Sequence, residues 1–174
     1  MTSSSFSLNP AILRLAESCG RQVETIGRGY RIFRADLSSV VIEREGLYWY
    51  GISERNDGPY FDWSSTDLTT VERRLVMDLG NSFRDQSSLM SIEFPFHAED
   101  IAPGFILCES RPGWHTLRRT NGALLPLEVH EEYAPTLWSS VEFSYVADAP
   151  LDQLAASYLD PDGAPLLTEF VTHP

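Results

Sequence analysis

Apolar residues recur at helical spacing in two stretches before residue 90, and at strand spacing between them. Ile12, Leu15, Ala16 and Cys19 form one stripe at intervals of three and four, which predicts a helix. Asn9 suits its N-cap, Pro10 its first helical position and Gly20 the position past its last turn. After Gly20 the period changes. Segments near 22–26, 30–34, 39–43 and 47–53 are rich in β-branched and aromatic residues. Turn candidates at 27–29, 36–38 and 45–46 separate them, so an antiparallel meander is expected. A fifth short strand is expected at 60–63, after the turn at 56–59. Leu68, Val71, Leu75, Leu79 and Phe83 then return to the helical period. They predict a second helix over about 66–83, with Glu72, Arg73 and Asp78 off its apolar face. Thr69 and Glu72 would form a capping box if that helix began a turn late.

The second half runs in a similar order. An extended segment at 91–97 precedes strands near 105–109, 114–118 and 124–129, the last two separated by Thr120-Asn121-Gly122. Helical pieces are expected over 136–147 and 151–158, with Asp148 capping the second, and a tight turn at Asp160-Pro161-Asp162-Gly163. Sliding the chain by 75 residues puts Trp63-Ser64-Ser65 on Trp138-Ser139-Ser140 and Gly29 on Gly104. That leaves open two related strands-then-helix halves at 26–85 and 101–160. The fold class expected is α+β, a mainly antiparallel twisted sheet with packed helices, in a single compact domain with residues 1–7 as a frayed tail.

Charge narrows the partners. The net charge is −12, and all 13 basic residues are arginines at or before Arg119. Nine carboxylates and no Lys or Arg occupy the remaining 55 positions. Such a field steers a cationic partner and repels polyanions, which argues against nucleic acid or an anionic membrane as the main ligand. No apolar run reaches the ~18 residues of a membrane span. The first residues lack the basic head and apolar stretch of a secretory signal. Cys19 and Cys108 stand far apart with no CxxC pair, so a cytoplasmic setting is expected.

Catalytic signatures are absent: no Walker loop, HExxH or GxSxG occurs. Gly27-Arg28-Gly29 precedes a strand rather than a helix and reads as a turn. His97 with Glu99 and Asp100 is the one cluster that could serve a metal or an acid–base pair, and nothing nearby completes a ligand set. Asp160, Asp162 and Glu169 fall on calcium-loop positions if Gly163 is the sixth. Tyr158 in first place and Pro165 in eighth argue instead for a tight turn. The expectation is a chain with no catalytic residues, no metal and no cofactor. In Tyr48-Trp49-Tyr50 at least one ring must face opposite its neighbours if the segment is a strand. From charge and aromaticity alone, the candidate partner contacts are Glu128, Glu131, Glu132, Tyr133, Asp148, Asp152 and Tyr158, with Tyr48 and Tyr50 as second choices.

Three stretches together resemble the bacterial immunity protein 61 family. They are Val71-Glu72-Arg73-Arg74-Leu75 with Gly80 and Phe83-Arg84, then residues Glu99 to Phe105, then residues Leu159 to Leu166. Ala164 stands where a basic residue would be expected. The resemblance implies an antitoxin that sits in the cytosol of the producing cell and binds a cognate secreted toxin, one to one. In the family's best-known case the toxin is an NAD glycohydrolase, and the inhibitor covers its NAD-binding cleft. Carboxylates suit a cleft built for a pyrophosphate. A secretion chaperone or adaptor, gripping a partner segment in an apolar groove, is the alternative.

Overall fold

The structure, a computed structural model, describes residues 6–55, 57–131 and 138–172. The fold is α+β. Eight strands form one sheet: β1 Gln22–Ile26, β2 Gly29–Arg34, β3 Leu37–Arg44, β4 Leu47–Glu54, β5 Tyr60–Ser65, β6 Phe105–Arg111, β7 Trp114–Arg119 and β8 Leu127–His130. Their order is β1-β2-β3-β4-β5-β8-β7-β6, with every ladder antiparallel. The first five strands are the expected meander. The last three enter in reverse, so that β8 seals the join against β5 through Trp63↔Val129, Ser64↔Glu128 and Ser65↔Leu127. The strand expected over 124–129 starts at Leu127, while Leu124 makes an isolated bridge to Arg118.

Helices α1 (Pro10–Ser18), α2 (Leu68–Gln86), α3 (Ser139–Ser144) and α4 (Leu151–Leu159) pack on one face of this sheet. Pleating sends alternate side chains to that face. Ile32, Val41, Tyr50, Trp63, Leu117 and Val129 are there, each at most 1% exposed. They meet Val71, Leu75 and Leu79 of α2 in a single core. Each such side chain contributes on the order of 1.5–3 kcal/mol by leaving water. No described helix packs on the opposite face.

Capping explains the helix limits and corrects two expectations. Asn9 caps α1, its Oδ1 accepting the Ala11 N–H at 2.9 Å. Glu72 does not box α2. That helix starts at Asp67, whose carboxylate accepts the N–H groups of Thr69 and Thr70. Glu72 is instead buried and accepts the Asn9 N–H at 2.6 Å, tying α1 to α2. Asp148 does not cap α4. Pro150 precedes that helix without a side-chain bond, and the Asp148 carboxylate is taken by Arg119. Phe6 is not frayed, since its carbonyl accepts from Tyr30 Oη and its ring packs edge-on against Tyr30 and Tyr48.

The stretches that carried the family resemblance are joints. Arg84, 1% exposed, donates to the carbonyls of Met90, Tyr158, Asp160 and Pro161, clamping α2 to the turn after α4. The tight turn that the sequence predicts is there, with Gly163 at φ 74°, and Asp160 Oδ1 accepts from the N–H groups of Asp162 and Ala164. Ala102 donates to Ser144 Oγ, fixing the 99–105 stretch on α3. The shift of 75 residues carries β2 and β3 onto β6 and β7, and places α4 within α2. Trp63-Ser64-Ser65 closes a strand, however, whereas Trp138 precedes a helix.

Candidate interaction surface

The open face of the sheet is where side chains gather without being buried. Strand alternation puts Trp49 there, opposite Tyr48 and Tyr50, as three successive aromatics require. Trp114 of β7 pairs across to His130 of β8 on the same face. The Trp49 and Trp114 rings meet edge to face at 6.2 Å, and the Trp114 and His130 rings lie 5.3 Å apart. Tyr60 Oη is 2.6 Å from His130 Nδ1. The Arg111 guanidinium lies 4.0 Å over the Trp114 ring and 3.3 Å from the Glu128 carboxylate, so one cation is held by a ring and an anion at once. Both indoles are half-buried.

Gly51, between Trp49 and β5, has no room for a side chain. A Cβ there would sit 2.2 Å from the Tyr60 carbonyl oxygen, at the bulge where the β4–β5 register shifts. Beside the aromatic group lies a notch of about 280 Å³ between the starts of β4 and β8. Its walls include Leu47, Leu124 and Leu125, with the hydroxyls of Ser64, Ser110 and Thr116 and the carboxylate of Glu128. Leu124 is 64% exposed at its edge.

The electrostatics of this face differ from those of the molecule. Its strand positions carry Arg31, Arg44, Arg111 and Arg118 against two carboxylates, Glu24 and Glu128. The acidic last third does not form one patch. Glu128 meets Arg111, Asp148 meets Arg119 and Asp152 lies 3.7 Å from Arg14. Charges segregated along the chain are thus partly paired in space. The hydrogen bond from Arg119 holds the Asp148 carboxyl below the usual carboxylate range. Between the sheet and the helices, Arg74 lies 5.6 Å from the centre of the Tyr50 ring and 5.5 Å from that of Trp63. Burial raises the pKa values of nearby Asp62 and Glu142, against the opposing pull of Arg74.

The expected contact residues part company here. Glu128, Asp148 and Asp152 reach solvent, the first on the open face and the other two on the helix layer. Tyr48 is half-buried under Phe6. Tyr50 and Tyr158, both 0% exposed, are interior residues rather than surface contacts: Tyr50 lies in the core between sheet and helices, and the Tyr158 ring lies between α4 and Gly80 of α2. Glu131 is also withdrawn. Its carboxylate accepts the N–H groups of Ser139 and Ser140 and the Ser140 hydroxyl, and so supplies the cap of α3. Glu132 and Tyr133 lie outside the described residues. His97 is exposed, its ring 4.6 Å from that of Phe96, and its link to Asp100 is a backbone one, the Asp100 N–H donating to the His97 carbonyl at 2.9 Å. No three His, Cys, Asp or Glu side chains gather into a metal-holding group among the described residues. Trp114, His130 and Arg111 went unread because only the strand register brings them together. Trp49 had a legible signal, being the ring that must oppose its neighbours.

The molecule is thus an α+β fold with a helix-backed sheet and one open face that carries half-buried aromatic side chains. Residues 24–166 match the family described as Immunity protein 61, and the chain belongs to that family. It is an immunity protein. It is 24% identical over 125 residues to the "Immunity factor for TNT" of Mycobacterium tuberculosis (strain ATCC 25618 / H37Rv). The same figures hold for the "Immunity factor for TNT homolog" of Mycobacterium bovis (strain BCG / Pasteur 1173P2), the match covering 69% of this chain and 67% of each relative. The solved structure of "Rv3902c from M. tuberculosis" superposes with a TM-score of 0.78 at 19% identity, over 97% of this chain and 98% of that one, and shares the fold. No helix among the described residues is long and apolar enough to cross a membrane.

Proposed function

We propose that this chain is a non-enzymatic inhibitor that binds one cognate toxin domain in the cytosol and occludes its active site, the toxin being an NAD glycohydrolase. The family match over residues 24–166 carries this reading, and relatives named as immunity factors for TNT support it. Inhibition then depends on contact area and on pairing of charges, and on no chemistry of the inhibitor itself. The surviving candidate contacts lie on two sides of the sheet, Glu128 on one and Asp148 with Asp152 on the other. A footprint of about 800 Å² per partner takes in one side.

Co-expression tests the proposal. The chain is expected to restore growth of cells making a toxin domain from the genome that carries it. In purified form it should abolish NAD hydrolysis at one equivalent. A tight complex that leaves hydrolysis intact would instead make it a secretion chaperone. Failure to bind any of those domains would remove the antitoxin reading.

A further inference from the structure

The helix side of this sheet is filled and the other is not. Open-face positions include two half-buried tryptophans, a hydroxyl-lined notch and an edge leucine that is 64% exposed. Both tryptophans are held by strands and Leu124 by an isolated bridge to Arg118, so their spacing is set before any partner arrives. Trp and Arg are the residue types most enriched among contacts that dominate binding energy.

We propose that the cognate toxin docks on this open face, seating an apolar side chain in the notch beside Leu47 and Leu124 and offering separate carboxylates to Arg111 and Arg118. The assignment rests on the antitoxin reading and adds to it the surface and the chemistry of the partner. Charge argues for that occupant. In a chain of net charge −12, this face carries four strand arginines against two strand carboxylates, with Arg44 also 3.7 Å from Glu45 of the adjoining turn. An acidic segment is therefore accepted here and repelled by the bulk of the remaining surface. Arg118 is exposed and has no carboxylate partner among the described residues. Arg111 is already oriented by Trp114 and Glu128, so little side-chain freedom is lost when an anion arrives. A second copy of the chain fits less well. Face-to-face pairing would oppose the same arginines, and pairing with the helix side would not close.

The test is a calorimetric titration of the full chain with a toxin domain, from the genome that carries it, that wild type binds. Trp49→Ala and Trp114→Ala are expected to weaken binding by tenfold or more, a typical scale for a central aromatic contact of about 1.4 kcal/mol or above. Because those changes also touch the fold, Leu124→Asp and Arg118→Glu carry the decision, both being exposed. Each is expected to lower affinity about tenfold with an unchanged melting temperature. Glu17→Arg, on the solvent side of α1, should bind as wild type.

Wild-type affinity in Leu124→Asp and Arg118→Glu would overturn the docking surface. So would loss of binding confined to Asp148→Ala with Asp152→Ala. Either result leaves the antitoxin reading standing. Conversely, binding that responds to the open-face variants but never inhibits hydrolysis would keep this surface and discard that reading.

Discussion

At the scale of single residues, the two cysteines should behave as different reagents. Cys19 is 2% exposed, and burial pushes its thiol up to about 11, so at neutral pH it is protonated and shielded. Cys108 sits half-exposed on edge strand β6. A thiol-specific reagent is expected to titrate one cysteine per native chain and two after denaturation. Two rapid equivalents in the native protein would contradict the packing of α1. Tyr158 offers a second case. Its hydroxyl is buried with no hydrogen-bond partner among the described residues, so Tyr158→Phe should shift unfolding free energy by less than about 1 kcal/mol, in either direction. Arg84→Leu should be far worse. It strands four carbonyls that the guanidinium now satisfies, and a loss of about 3 kcal/mol or more in denaturant unfolding is expected.

Among the elements, Gly80 shows how α2 and α4 approach. A Cβ at that position would lie 2.1 Å from Tyr158 Cγ. Gly80→Ala in an exposed helix would stabilise by up to about 1 kcal/mol. Here the clash outweighs propensity, and a net loss of about 1–3 kcal/mol is expected, read as a lower melting temperature. The same elements show what the chain reveals before folding. Local signals sufficed for α1, because Asn9, Pro10 and an unbroken apolar stripe all act within ten residues. They sufficed too for the meander and for the Asp160–Gly163 turn. Glu72, Glu131 and Asp148 were misread, since each carboxylate serves a group far off in sequence or across an intervening segment. Glu72 bonds Asn9, Glu131 caps α3 and Asp148 pairs with Arg119. The open face was partly legible: Tyr48-Trp49-Tyr50 announces an opposed ring, but nothing local joins it to Trp114 or Arg111.

For the whole molecule, the buried carboxylates set the direction of pH dependence. Burial raises the pKa values of Asp62, Glu72 and Glu142, so the folded state holds their protons more tightly than the unfolded chain does. Stability should therefore rise as pH falls from neutral through those raised values, until the ordinary carboxylate value near ~4 is reached. Asp148, held below its ordinary value by Arg119, acts in the opposite sense. Its contribution is present above that ordinary value and disappears as pH falls through the lowered one. Denaturant midpoints measured from pH 7.5 to 4.5 should climb towards acid. Glu142→Gln should flatten the climb, and an unchanged slope would show that Glu142 is not coupled to folding.

The placement of β8 between β5 and β7 has a consequence in time. A ribosome releases the meander β1–β5 long before Leu127–His130 exist. Until then the β5 rim, with its row of unpaired amide and carbonyl groups, has no native neighbour. Trp63 also lacks Val129 opposite it and Phe143 against its ring. Half-made chains thus carry a sticky rim that the finished protein lacks. Closing the sheet means joining segments more than sixty residues apart, a slow kind of contact to form. Truncations ending before β8 are accordingly expected to partition into aggregates, and the full chain to refold over milliseconds to seconds.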